Sequence, residues 1–286
     1  MSSDMLAEPA TNLQVRPTNP PQPAAAVEIV VISLPSATKR RQWISSMFEG
    51  TSLQWSFFDA HTSLSQSGLH YDSAMARARF GRGLSVPELA ICSSHMAVLS
   101  EFLQRSQANH ILVLEDDVIF DTDFPLARFG TFCAENDIEY IRLFGKHYAK
   151  ATRLGFFYDR SILRYETTPA GAQAYLMSKK GAKAFLDGYR SIDTTVDLAM
   201  DSFWEIPLPI YSIFPYPIIE RFSPTSIPMA SYGREFTLPE RLSFNYRRTI
   251  TKLRKMWANA ALRKTDRRIR QQAERFRQIF GSDTEK

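Results

Sequence analysis

The sequence predicts an α/β fold: a mostly parallel sheet with helices on both faces. Three observations carry that prediction. Ile111-Leu112-Val113-Leu114 is an unbroken apolar run, which suits a strand buried on both sides. Val27-Glu28-Ile29-Val30-Val31-Ile32-Ser33-Leu34 is a β-branched run that also reads as a buried strand. Segments with helical apolar spacing alternate with such runs, the clearest passing through Leu89, Cys92, Met96, Leu99 and Leu103. A chain of 286 residues, 44% hydrophobic and 12% aromatic, can bury one large α/β domain with an appendage.

Residues 1–26 are expected to be a disordered tail, because Pro9, Pro17, Pro20, Pro21 and Pro23 punctuate a polar segment without apolar period. After the first strand, Pro35 to Thr38 break the chain, and Trp43, Ile44, Met47 and Phe48 mark one face of a helix. Lys39, Arg40 and Arg41 stand at its start, where cations oppose the helix dipole. An anionic partner nearby and a solvated basic turn both account for them. Trp55 to Ala60 reads as a short strand, and the poorly periodic stretch from His61 to Gly83 as a functional loop. The next helix opens with Ser85, Pro87 and Glu88, the spacing of a capping box. His95 lies beside its apolar face, where a lone histidine is more often a satisfied core residue than a ligand.

The strand at Ile111 runs into Glu115-Asp116-Asp117. Three carboxylates at one strand end repel one another unless a cation relieves them, and a divalent metal with oxygen ligands would do so. Ligands of open α/β sheets gather beyond the carboxyl ends of the strands. The competing reading is a solvated acidic turn that continues through Asp121 and Asp123. Ile138 to Phe144 is the next strand, and residues 145–169 are expected to be irregular, with Ser161 to Tyr165 extended. Ala170 to Ser178 reads as a small-residue strand that a ligand can approach closely, followed by a helix from Lys179 to Leu186 capped by Ser178. Thr194 and Asp197 have capping-box spacing before a helix through Phe203, and Asp197 and Asp201 share its face. Ile210 to Ile219 gives strand-like pieces interrupted by proline, and no internal repeat occurs.

No run of about 18 apolar residues is present, so no spanning helix is expected. The start has no signal-peptide pattern. Two cysteines, Cys92 and Cys133, make no disulfide framework and point to a reducing cytoplasm. Between Arg241 and Phe280 thirteen basic residues face only Asp266 and Glu274, with Glu240 just before them, in a chain whose net charge is +5. Leu253, Met256, Trp257, Ala260, Ala261, Ile269, Phe276 and Phe280 give this segment an interrupted helical stripe. Such a helix suits an anionic membrane surface. A solvated helix packed on the domain is the plainer reading, and nucleic acid the least favoured.

These stretches, taken together, resemble glycosyltransferase family 25, the lipooligosaccharide biosynthesis proteins. The resemblance rests on Ile32-Ser33-Leu34 with Arg40, on Phe58-Asp59-Ala60, on Pro87 through His95, on Leu114-Glu115-Asp116-Asp117, on Gly171 through Ala182, and on Val196-Asp197. It covers about residues 27–225 in the family's order and implies a GT-A-like, Rossmann-like fold. It also implies a nucleotide-sugar donor, usually UDP-galactose, a divalent metal such as Mn2+, inversion at the sugar carbon, and a saccharide acceptor. Pro87 and Ala90 stand where the family has glycines, and the closing block Ser223-Pro224-Thr225-Ser226-Ile227 lacks the family's acid. No histidine follows His147 to serve as a late histidine ligand, which leaves the third metal ligand open, with Glu220, the acid nearest that block, as a candidate.

The resemblance assigns roles residue by residue. Asp117 is the first metal ligand, with Glu115, at the other end of a DxD-like spacing, facing the metal or the ribose. Ser33, Leu34, Arg40, Asp59, Ala60, His95, Glu115, Asp116 and Gly171 form the nucleotide-sugar site. An inverting displacement needs a base for the acceptor hydroxyl, and Asp197 is the candidate, with Asp201 second. The expected layout is a tail over 1–26, a glycosyltransferase domain over 27–237, and a basic helical extension over 238–286. The expected place of work is the cytoplasm, peripheral on the inner face of the membrane, with a lipid-linked acceptor. The competing function is a catalytically inactive GT-A-like module that binds saccharide or membrane.

Overall fold

The computed structural model describes residues 27–65, 68–221 and 238–280. The tail over 1–26, the block Ser223 to Ile227, and the side chains of Phe276 and Phe280 lie outside the described residues. In chain order the elements are β1 (Val27–Ser33), α1 (Thr38–Phe48), β2 (Trp55–Asp59), β3 (His70–Tyr71), α2 (Ser73–Phe80), α3 (Val86–Arg105), β4 (His110–Glu115), β5 (Val118–Phe120) and α4 (Leu126–Glu135). There follow β6 (Tyr140–Arg142), β7 (Ala151–Phe157), β8 (Arg160–Tyr165), β9 (Ala174–Ser178), α5 (Lys179–Gly188), β10 (Ser191–Ile192), α6 (Val196–Met200), β11 (Tyr211–Phe214), β12 (Ile218–Glu220) and α7 (Leu238–Phe280).

Eight strands form one sheet in the order β2-β1-β4-β9-β6-β11-β8-β7. The pairs β1·β2, β1·β4 and β6·β11 are parallel, while β4·β9, β6·β9, β8·β11 and β7·β8 are antiparallel. All but β8 and β9 therefore run in one direction, so the mostly parallel sheet is mixed in its pairings. Alternate residues of the central strands pack on opposite faces. Ile29, Val31, Leu112 and Leu114 meet α1 and α4 through Ile44, Phe48, Phe129 and Phe132. Val30, Ile32, Ile111 and Val113 meet α3, α5 and α6 through Met96, Leu99, Phe185 and Met200. Both faces being dry, the β4 sequence needs no polar alternation, which is why it reads as a continuous apolar run.

α3 opens as its sequence requires. Glu88 accepts a hydrogen bond from the Ser85 backbone at 2.8 Å, and Arg82 grips the same carboxylate. Elsewhere the structure departs from expectation. The stretch 61–83 holds β3, which pairs with the distant β10, and α2, whose N-cap Asp72 accepts from Met75 N at 2.8 Å. Residues 145–169 contain the β7–β8 hairpin rather than an irregular excursion, and the stretch expected to be extended, Ser161 to Tyr165, lies in β8. The small-residue strand begins only at Ala174, because Ala170 and Gly171 take φ of +54° and +82°, which no strand accommodates. The cap of α6 is Thr195, not Thr194. α4 carries no signal that sequence reading registered.

α7 packs on the domain through one face. Asp266 forms an ion pair with Arg164 at 2.7 Å, Asn259 bonds the same guanidinium, and Ile269 is fully buried. Leu253 and Trp257 remain 50% and 72% exposed. The stripe foreseen as one face is thus split between two: Ile269 turns inward and Leu253, Met256 and Trp257 outward. Among the described residues no helix is long and apolar enough to cross a membrane.

Candidate functional site

Parallel pairing of β1 with β4 sets Ile32 beside Glu115, and pairing with β2 sets Ser33 beside Asp59. The carboxyl ends of three strands therefore open on one cleft of about 430 Å³. Ser33, Leu34, Arg40, Ala60, His95, Glu115, Asp116, Asp117 and Glu220 line it, together with Lys146. Glu220 arrives on the two-stranded ribbon of β5 and β12, where it pairs with Val118.

The acids here have unequal surroundings. Asp116 is buried and accepts hydrogen bonds from Ser33 Oγ at 2.6 Å and Arg40 at 2.9 Å. Arg40 also lies 3.9 Å from Asp117. The basic start of α1 is thus an internal counter-charge: Arg40 serves the acidic strand end. Arg41 pairs with Asp59 and donates to the Ser33 carbonyl at 2.8 Å. Asp59 is spent on Arg41 and does not line the cleft. Asp117 Oδ1 is buried and without a hydrogen-bond partner. Burial first, and then the charge of Glu115, raise the Asp117 carboxyl to about 7 despite the opposing Arg40. An orphaned, electrostatically crowded carboxylate oxygen suits a cation. Among the described residues, however, no three His, Cys, Asp or Glu side chains group as a metal-binding set. Carboxylates here could hold a hard cation only with water or phosphate oxygens completing its shell.

His95 is buried behind this edge, its Nδ1 3.0 Å from the Tyr175 hydroxyl and its Nε2 3.7 Å from Glu115. It is both a satisfied core residue and a neighbour of the acidic end.

Asp197 and Asp201 belong to a separate cluster at α6. Asp201 is fully buried; one oxygen meets Arg142 at 2.6 Å and the other accepts from Ala170 N at 2.9 Å. Burial raises its carboxyl above the ordinary range against the lowering by Arg142. With both oxygens engaged, Asp201 is ill placed as a second base. Asp197 is half-buried and accepts from Gly171 N at 3.0 Å. Gly171 does not line the acidic cleft. A Cβ there would come 2.6 Å from Gln173 Oε1 and 3.2 Å from Lys146 Cβ, so glycine is required both sterically and by φ. Through Lys146 this cluster borders the cleft.

Sequence reading missed Arg142, which bonds Asp201 and the carbonyls of Ala170 and Gly171 and so clamps the left-handed turn. The signal was present: a guanidinium inside the apolar strand Ile138 to Phe144 must have a buried partner. Lys146 had no such signal.

Residues 26–200 match the model of glycosyltransferase family 25, described as an LPS biosynthesis protein. A Haemophilus influenzae protein whose name makes it a candidate glycosyltransferase is 26% identical over 181 residues, covering 62% of each chain. This chain thus spans less than two thirds of that relative's length. A solved glycosyltransferase involved in glycosylation of the major capsid of PBCV-1 is 10% identical with a TM-score of 0.31, covering 56% of this chain and 65% of its own.

Proposed function

The chain belongs to glycosyltransferase family 25, and from that premise we propose that it moves a hexose, galactose from UDP-galactose, to a saccharide acceptor of lipopolysaccharide with inversion. The observation that carries this reading is the orphaned Asp117 oxygen at the carboxyl end of β4, inside a cleft large enough for a nucleotide sugar. A divalent metal, Mn2+, held by Asp117 with Glu115 and Glu220 beside it, would supply Lewis-acid stabilisation of the departing diphosphate. Arg40 and Ser33 fix Asp116 and with it the acidic turn. The sheet is then read as GT-A-like, with Ser33, Leu34, Ala60, Glu115 and Asp116 around the nucleotide. Asp197, held by Gly171 N, receives the acceptor's proton, and Arg142 with Asp201 keeps that turn in place.

Exposed Leu253, Met256 and Trp257 on a helix rich in lysine and arginine support docking of α7 on an anionic membrane, on the cytoplasmic side, where a lipid-linked acceptor is met. That no three His, Cys, Asp or Glu side chains group as a metal-binding set among the described residues favours a second reading, a catalytically inactive module that binds saccharide or membrane. A screen of UDP-sugars with Mn2+ and with chelator decides between them. We expect UDP release with at least one donor, lost on chelation; no release from any donor leaves the binding module.

A further inference from the structure

A second cavity, of about 460 Å³, lies between α7 and the turn that carries α6, and shares no lining residue with the acidic cleft. Thr194, Leu198 and Ser202 contribute one wall, and Arg247, Arg248, Lys252 and Lys255 of α7 another. Arg79 also reaches it, but its charge is met by Asp193 at 2.9 Å and Glu205 at 2.5 Å. Among the described residues the four α7 cations form no ion pair; the adjacent Arg254 is the one that reaches Glu205, at 3.9 Å. Lys255 lies 4.1 Å over the Trp204 ring, and the buried Trp204 Nε1 has no acceptor. Like charges gathered in a concave site repel each other at a cost to the fold, and an anion would relieve it. Arginine and lysine side chains form a donor set that matches phosphate or carboxylate oxygens.

One wall of the cavity belongs to α6, the helix that carries the proposed base, although Asp197 itself lines neither cavity. Leu198 follows Asp197 in the chain, and Asp197 is held by Gly171, the neighbour of the cleft residue Lys146. We infer that this cavity is the acceptor subsite and that the acceptor is an anionic saccharide, its phosphate or carboxylate held by Arg247, Arg248, Lys252 and Lys255. The inference rests on the glycosyl-transfer reading above and names its acceptor class. It also gives α7 a role in the site that is separate from its exposed apolar residues.

The test uses the full chain and titrates glucose 6-phosphate, glucuronate and glucose by calorimetry. One of the two anionic sugars binds and glucose does not, the winner telling phosphate from carboxylate. R248A/K252A weakens that binding by about tenfold, the loss expected for a charged hydrogen bond. R263A/K264A removes the same charge from exposed positions of α7 that do not line the cavity, and leaves binding unchanged. UDP-sugar hydrolysis is unaffected in R263A/K264A. Equal binding of glucose, no binding of either anionic sugar, or equal weakening in R263A/K264A overturns the inference. Hydrolysis missing from the wild type overturns the transfer reading instead, while the titration still decides whether the cavity selects anions.

Discussion

At Asp117 the protein concentrates negative charge that Arg40, 3.9 Å away, offsets only in part. Arg40 is committed to Asp116, and Glu115 and Glu220 add to the repulsion. Asp117→Asn should therefore lower transfer about a hundredfold while leaving circular dichroism unchanged, as loss of a ligand or its support does. Full activity in a chelated sample would defeat this assignment. Asp197 and Asp201 should separate cleanly. Asp197→Asn is expected to reduce kcat by about 10²–10⁴-fold with donor KM little changed, the mark of a group that acts on a proton in the transition state. Asp201→Asn should instead destabilise the fold by about 3–5 kcal/mol in urea denaturation, because it leaves Arg142 buried and unpaired. A stable Asp201→Asn protein with slow turnover would return the base to Asp201.

At the scale of elements, α3 and α7 are fastened by different means. Glu88 of α3 is pushed up by burial, but hydrogen bonds from Arg82 and Ser85 outweigh this and hold it below the usual carboxylate range. A depressed carboxyl contributes stability above its unfolded pKa, and that contribution is lost as pH falls through its folded one. Glu88→Gln should therefore flatten the acid limb of the stability curve; an unchanged limb would show that the cap is not coupled to folding. α7 is fastened by Arg164, Asp266 and Ile269, all buried. Asp266→Ala should cost about 3–5 kcal/mol by leaving Arg164 uncompensated, whereas a helix merely resting on the surface would shift the urea midpoint hardly at all.

For the whole molecule, this attachment changes how membrane binding must be tested. Deleting α7 would strip Arg164 of its partner and confuse unfolding with loss of docking. L253S/W257S alters exposed positions only and should reduce co-sedimentation with anionic vesicles, with no effect on neutral ones. Binding of the wild type should weaken as salt rises, since the attraction is screened. Undiminished pelleting of the double variant would show that these side chains do not meet the bilayer.

Ile111 to Asp117 determined a great deal by local chemistry alone. An apolar run that ends in acids needs two dry faces and a place where charge can be relieved, and the parallel β1·β4 pairing provides both. Ser85 and Glu88 likewise announced their helix, because a cap is made within four residues. What sequence could not settle were matters of distance. Arg40 and Asp116 are 76 positions apart, Arg142 and Asp201 are 59, and Arg164 and Asp266 are 102. Nothing in a local pattern names such partners, so Asp201 stood as second base behind Asp197 until packing engaged both its oxygens. The interrupted stripe of α7 was read as one face because helical spacing fixes which residues share a face only approximately, over one or two turns. Over a helix of 43 residues, only the surface it meets decides that Ile269 is buried and Trp257 is not.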